Sequence, residues 1–182
     1  MSKDVIKTAL VLTLICAVAA VILALINMIT APSIERYEAQ KTISALEEVS
    51  NGYSIGELEE VSDGYITGRY ALTSNGKVSG YILKLSSNGY GGAMGIVASY
   101  DVNGIILGVK LVSDDETPGV GKKAENPGYM DKFISTGSAT NPVPTSKAML
   151  SEADAAAVSG ASITFTGISK ALAYGSDYVK SL

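Results

Sequence analysis

The chain has 182 residues, 47% of them hydrophobic, with a formal net charge of −4, no histidine, no tryptophan and one cysteine, Cys16. Lacking a basic stripe, it has no footprint for nucleic acid; lacking histidine, it has no His-ligated haem, no common zinc site and no Ser/His/Asp chemistry. One cysteine makes neither an internal disulfide nor the thiolate set of an iron–sulfur cluster, so any redox chemistry must come from an organic cofactor.

No residue between Lys7 and Glu35 is charged, and residues 8–29 are dominated by Ala, Leu, Val and Ile. About 20 apolar residues in a helix cross the roughly 30 Å hydrocarbon core of a bilayer. We therefore predict a single-pass transmembrane anchor over residues 1–30. The run exceeds the roughly 7–15 residues of a signal-peptide core, and no Ala-x-Ala cleavage site follows it. A buried core helix would show a polar face, and this run does not. Lys3 and Lys7 in the short leading tail favour a cytoplasmic N-terminus, against Arg36 and Lys41 beyond the span, which puts the domain on the extracytoplasmic side of a bacterial cell membrane.

Pro32 suits the first turn of a new helix or a kink. Ile34, Tyr37, Lys41, Ala45, Leu46 and Val49 follow at helical spacing, which predicts an amphipathic linker helix over residues 31–50, ended by Asn51-Gly52. The remaining residues, 51–182, suffice for one compact domain.

From Tyr65 the period becomes strand-like. Residues 65–74 and 77–86 flank Asn75-Gly76, and residues 95–101 and 104–113 flank Val102-Asn103, with Gly104 opening the second strand. Turn residues between alternating runs predict two antiparallel hairpins. Residues 87–92, with Asn88-Gly89-Tyr90-Gly91-Gly92, read as loop. Short helices are predicted near 129–135 and 153–158, with a terminal helix from about Thr166 to Val179 carrying Ile168, Leu172 and Val179 inward. The fold class is α+β: one membrane helix, then a compact domain of antiparallel hairpins with flanking helices.

Two segments are candidate sites. Ser159, Gly160, Ala161, Ser162, Ile163 and Thr164 precede the terminal helix. In the simplest reading they are an extended stretch and an N-cap. In the functional one, a phosphate esterified to Thr164 sits at the positive end of that helix, which requires a hydroxyl reachable from outside. The second segment is Glu116, Thr117, Pro118, Gly119, Val120 and Gly121, followed by Lys122 and Lys123. It reads either as a surface turn, Pro-Gly being type II chemistry, or as a rigid loop against a planar ligand, with a lysine offsetting charge that develops on reduction.

These segments, the span running into Thr30-Ala31-Pro32, and the Gly-rich loop with its Asp101–Gly108 hairpin together resemble the RnfG component of the Rnf complex, a membrane-bound, ion-pumping ferredoxin:NAD oxidoreductase. More distantly they resemble the corresponding component of the sodium-pumping NADH:quinone oxidoreductase. The resemblance implies an electron-transport flavoprotein, with FMN held as a phosphothreonine ester on the last Thr of Ser/Thr-Gly-Ala-Ser/Thr-x-Thr, here Thr164, and installed by a flavin transferase from FAD. It implies partner membrane subunits in a translocase for ion transport, no complete active site in this chain alone, and no metal. The family's usual Asp three residues before the motif is Ala156 here, with Asp154 the nearest acid, and the usual Thr-Ser pair is Thr164-Phe165. Two alternatives stand: a membrane-tethered flavodomain serving another extracytoplasmic reductase, and a non-redox binding module.

Overall fold

The computed structural model describes residues 3–182. Met1, Ser2 and the side chain of Lys3, on which the expected anchor and its orientation partly rest, lie outside the described residues. The chain divides into two compact units, Met1–Gln40 and Lys41–Leu182.

The first helix, α1, runs over Lys3–Val49. No new helix begins at Pro32: α1 continues through it, as a helix can when it forfeits the one hydrogen bond that proline cannot donate. In Met1–Gln40, Leu10, Leu14, Val18, Ile22, Leu25 and Met28 are all more than half exposed. Together with their neighbours they make a helix apolar on every side, a surface suited to lipid, and α1 is long and apolar enough to cross a membrane. Within the second unit Ala45, Leu46 and Val49 are buried.

The second unit is built on a five-stranded antiparallel meander in sequential order: β1 (Ser54–Asp63), β2 (Ile66–Ser74), β3 (Lys77–Asn88), β4 (Ala93–Asp101) and β5 (Ile106–Asp114). The predicted hairpins are present. The β2–β3 turn places Asn75 and Gly76 at φ +51° and +75°, the paired left-handed geometry of the tight hairpin turn. At the β4–β5 turn the Asp101 carboxylate accepts the amides of Asn103 (2.9 Å) and Ile105 (2.8 Å). The strand β1 was not predicted. It is an edge strand, largely exposed and carrying Glu57, Glu59 and Glu60, so it lacks the alternation that marks a half-buried strand.

Alternation along β3 and β4 sends side chains to both faces of the sheet. Ile82 and Val97, with Leu72, meet Ala45, Leu46 and Val49 of α1 on one face. Leu83, Leu85, Ile96 and Ala98 meet the C-terminal helix α3 (Ser162–Lys180) on the other. There Phe133 and Phe165 stack at 5.8 Å, and Tyr100, fully buried, donates its hydroxyl to the Leu172 carbonyl at 3.1 Å. The short helix expected near 129–135 is a 3-10 helix over Tyr129–Phe133, and α2 spans Glu152–Ala157.

Candidate functional site

The motif segment is a tight turn between two helices. Gly160 takes φ +83°, a left-handed conformation that favours glycine, and the Ala161 amide returns to the Val158 carbonyl at 3.1 Å. Helix α3 then starts at Ser162, four residues before the expected position, so Thr164 lies inside its first turn rather than ahead of it. Ala161 is the N-cap and supplies no side-chain cap, which leaves the first amides of α3 available to an acceptor.

Which hydroxyl is reachable differs from expectation. Thr164 is 1% exposed and its Oγ1 is buried with no hydrogen-bond partner. Ser162, two residues earlier, is exposed and lines a cleft of about 420 Å³ with Tyr65, Ser87, Asn88, Ile163, Thr166, Gly167 and Lys170. The expectation of an accessible Thr164 oxygen is therefore corrected. At about 100° per residue, positions 162 and 164 face nearly opposite ways, and the apolar face of α3 takes Thr164 into the core. Thr166, where the terminal helix was expected to begin, lies within α3 and donates back to the Ser162 carbonyl at 2.8 Å.

The second segment follows β5. The Val120 amide donates to Thr117 O at 3.1 Å and Gly119 has φ +77°, the type II turn that Pro118-Gly119 predicted. Thr117, Pro118, Gly119 and Val120 are exposed, while Glu116 and Gly121 are buried. A 3-10 helix over Gly121–Glu125 continues from the turn and contacts α3. Lys122 is engaged with acids of its own neighbourhood, Asp114 at 3.8 Å and Glu125 at 3.7 Å. Lys123 is the lysine that reaches the motif, donating to Ser159 O at 3.3 Å. The two segments, some 40 residues apart in sequence, are thus neighbours in space.

Ala156, where the resemblance leads one to expect an acid, lies exposed on α2. Asp154, the nearest acid, accepts the Ser151 hydroxyl at 2.7 Å at the start of that helix. Tyr65, Ser87, Asn88 and Lys170 of the cleft were not among the expected site residues; the one signal near them was the glycine run that follows Asn88. Among the described residues, no group of His, Cys, Asp and Glu is arranged to hold a metal ion. The site instead combines an exposed hydroxyl, an uncapped helix start and a cleft beside them. That combination fits a phosphate ester carrying a planar group, since the hydroxyl can bear the ester and the free amides can face the anion.

Two protein-family models match the chain. A model of the FMN-binding domain matches residues 89–176, which contain both segments, and a model of the RnfG N-terminal region matches residues 1–49. A search of curated proteins finds no match.

Proposed function

The chain belongs to the family of RnfG-type proteins with an FMN-binding domain, and from that premise we propose that it is a membrane-anchored electron-transfer subunit of an Rnf-type, ion-translocating ferredoxin:NAD oxidoreductase, carrying FMN covalently. Flavin binding and an electron-transfer role follow from the family itself. The covalent bond, the ion-pumping complex, the flavin transferase and the extracytoplasmic position of the domain are our reading.

The observation that carries the covalent assignment is the exposed Ser162 hydroxyl at the uncapped start of α3, opening on the 420 Å³ cleft. Of Ser162 and Thr164 it is the better acceptor: Thr164, named by the motif, keeps its oxygen inside the core. In the transfer from FAD, the hydroxyl oxygen bonds to the phosphorus of the FMN half. The pyrophosphate bond to AMP breaks, and the hydroxyl proton leaves to solvent.

FMN, when bound, takes one or two electrons and so joins one-electron and two-electron carriers. The chain's own contribution is placement and surroundings. The uncapped first amides of α3 would hold the phosphate, and the turn at Gly160 leaves the approach to Ser162 unshielded. Electron transfer asks for no general base from this chain, which has no histidine.

Intact-mass analysis of the full chain, made in cells with an active flavin transferase, tests this. The unaltered chain and Thr164→Val should each carry one FMN less one water, and Ser162→Ala should carry none. Modification of Ser162→Ala together with its loss in Thr164→Val would return the ester to Thr164. An unmodified chain in all three defeats the covalent reading. Co-purification with polytopic membrane subunits supports the complex, and recovery of the anchored flavoprotein alone counts against it.

A further inference from the structure

Glu116 is 3% exposed and, among the described residues, has no cation within salt-bridge distance. Burying such a carboxylate is costly unless its bonds position something. Its Oε1 accepts the Tyr90 amide at 2.7 Å, while Oε2 is buried without a partner. A Cβ built on Gly89 would overlap one carboxylate oxygen, and a Cβ built on Gly121 would overlap the other. The two glycine loops, 89–92 and 116–121, thus close on one side chain from two directions. The first of them is also tied to α3: Ser87 Oγ donates to the Gly167 carbonyl at 2.9 Å, and the Asn88 carbonyl packs where a side chain at Gly167 would stand. Asp114 holds the base of the second, accepting the Glu116 amide at 2.9 Å.

We propose that Glu116 is a positioning residue whose carboxylate clasps the 89–92 and 116–121 loops into one rigid wall beside the first turn of α3, and so sets the surroundings of a flavin carried there. The functional half of this rests on the FMN reading; the clasp itself rests on the protein alone. The clasp needs an acceptor oxygen, not a negative charge, so glutamine should replace glutamate and alanine should not.

The test uses the full flavinylated chain. In Glu116→Ala, losing the acceptor should speed hydrogen exchange at the Tyr90 amide by about tenfold or more, shift the flavin midpoint potential and lower the flavin fluorescence anisotropy. Glu116→Gln should restore all three. Should Glu116→Ala fail to fold, Gly89→Ala offers an independent route, since its added methyl displaces the carboxylate. It should reproduce the faster Tyr90 exchange in the native background, and it should change nothing further when Glu116 is already alanine. Unchanged exchange and anisotropy in Glu116→Ala at normal flavin content would overturn the clasp, as would a Glu116→Gln variant that behaves like alanine. If the native chain holds no flavin, the FMN reading fails, and the Tyr90 exchange still decides the clasp.

Discussion

Ser162 and Thr164 stand two positions apart in the first turn of α3 and face opposite ways, Ser162 to solvent and Thr164 into the core at 1% exposure. A hydroxyl in that inward position is a cost without a return, because its oxygen has no partner. A buried, unsatisfied polar group costs about 1–3 kcal/mol relative to an apolar group of the same shape. Thr164→Val is nearly isosteric, so it should raise stability by about 1 kcal/mol, read by chemical denaturation of the chain without flavin. A clear loss of stability would mean that Thr164 Oγ1 has a partner in solution.

Gly175 faces Tyr100 across the interface of α3 and the sheet. A Cβ there would lie 2.5 Å from the tyrosine oxygen and 3.1 Å from Leu83 Cδ1. Two effects compete in Gly175→Ala: helix propensity gains about 1 kcal/mol, and overpacking a closed core costs about 1–3 kcal/mol. Tyr100 is fully buried and held by its bond to Leu172 O, so it cannot yield cheaply and the clash should win. We expect a net loss of about 1–2 kcal/mol, partly recovered in the double variant with Tyr100→Phe. A single variant more stable than the native chain would contradict this packing.

Burial pushes the Tyr129 hydroxyl up to about 12, and raises Tyr100 further still. The unfolded chain ionises its tyrosines near pH 10. Between about pH 10 and 12 the folded state therefore keeps a proton that the unfolded state has lost, and stability falls as pH rises. Full stability holds below that window. Tyr129→Phe removes one such group, and should flatten the decline by about 1–2 kcal/mol between about pH 10 and 12, with little change at neutral pH because Tyr129 Oη has no partner to lose. Denaturant melts of both proteins at about pH 8, 10 and 11.5 check this; equal slopes would place Tyr129 in contact with water.

The features legible in the sequence were those that neighbouring residues decide. Asn75-Gly76 takes left-handed dihedrals wherever it stands between two alternating runs, and Pro118-Gly119 makes its turn from its own chemistry. The apolar stretch of α1 announces itself by length. The strand β1 escaped notice because its three glutamates disguise an edge position, which only its pairing with β2 defines. The early start of α3 escaped because Ser162 and Thr164 carry no strong helix signal and Ala161 is no conventional cap.

Composition and local order alone determined that this chain has an apolar N-terminal helix, antiparallel hairpins and no histidine chemistry. Tertiary structure decided which hydroxyl meets solvent, that Lys123 rather than Lys122 reaches the motif, and that Glu116 is enclosed by glycines from two loops. The physical reason is range. A turn or an apolar run is settled within a few residues, whereas burial of Thr164 and of the Glu116 carboxylate is imposed by elements distant in sequence that close over them.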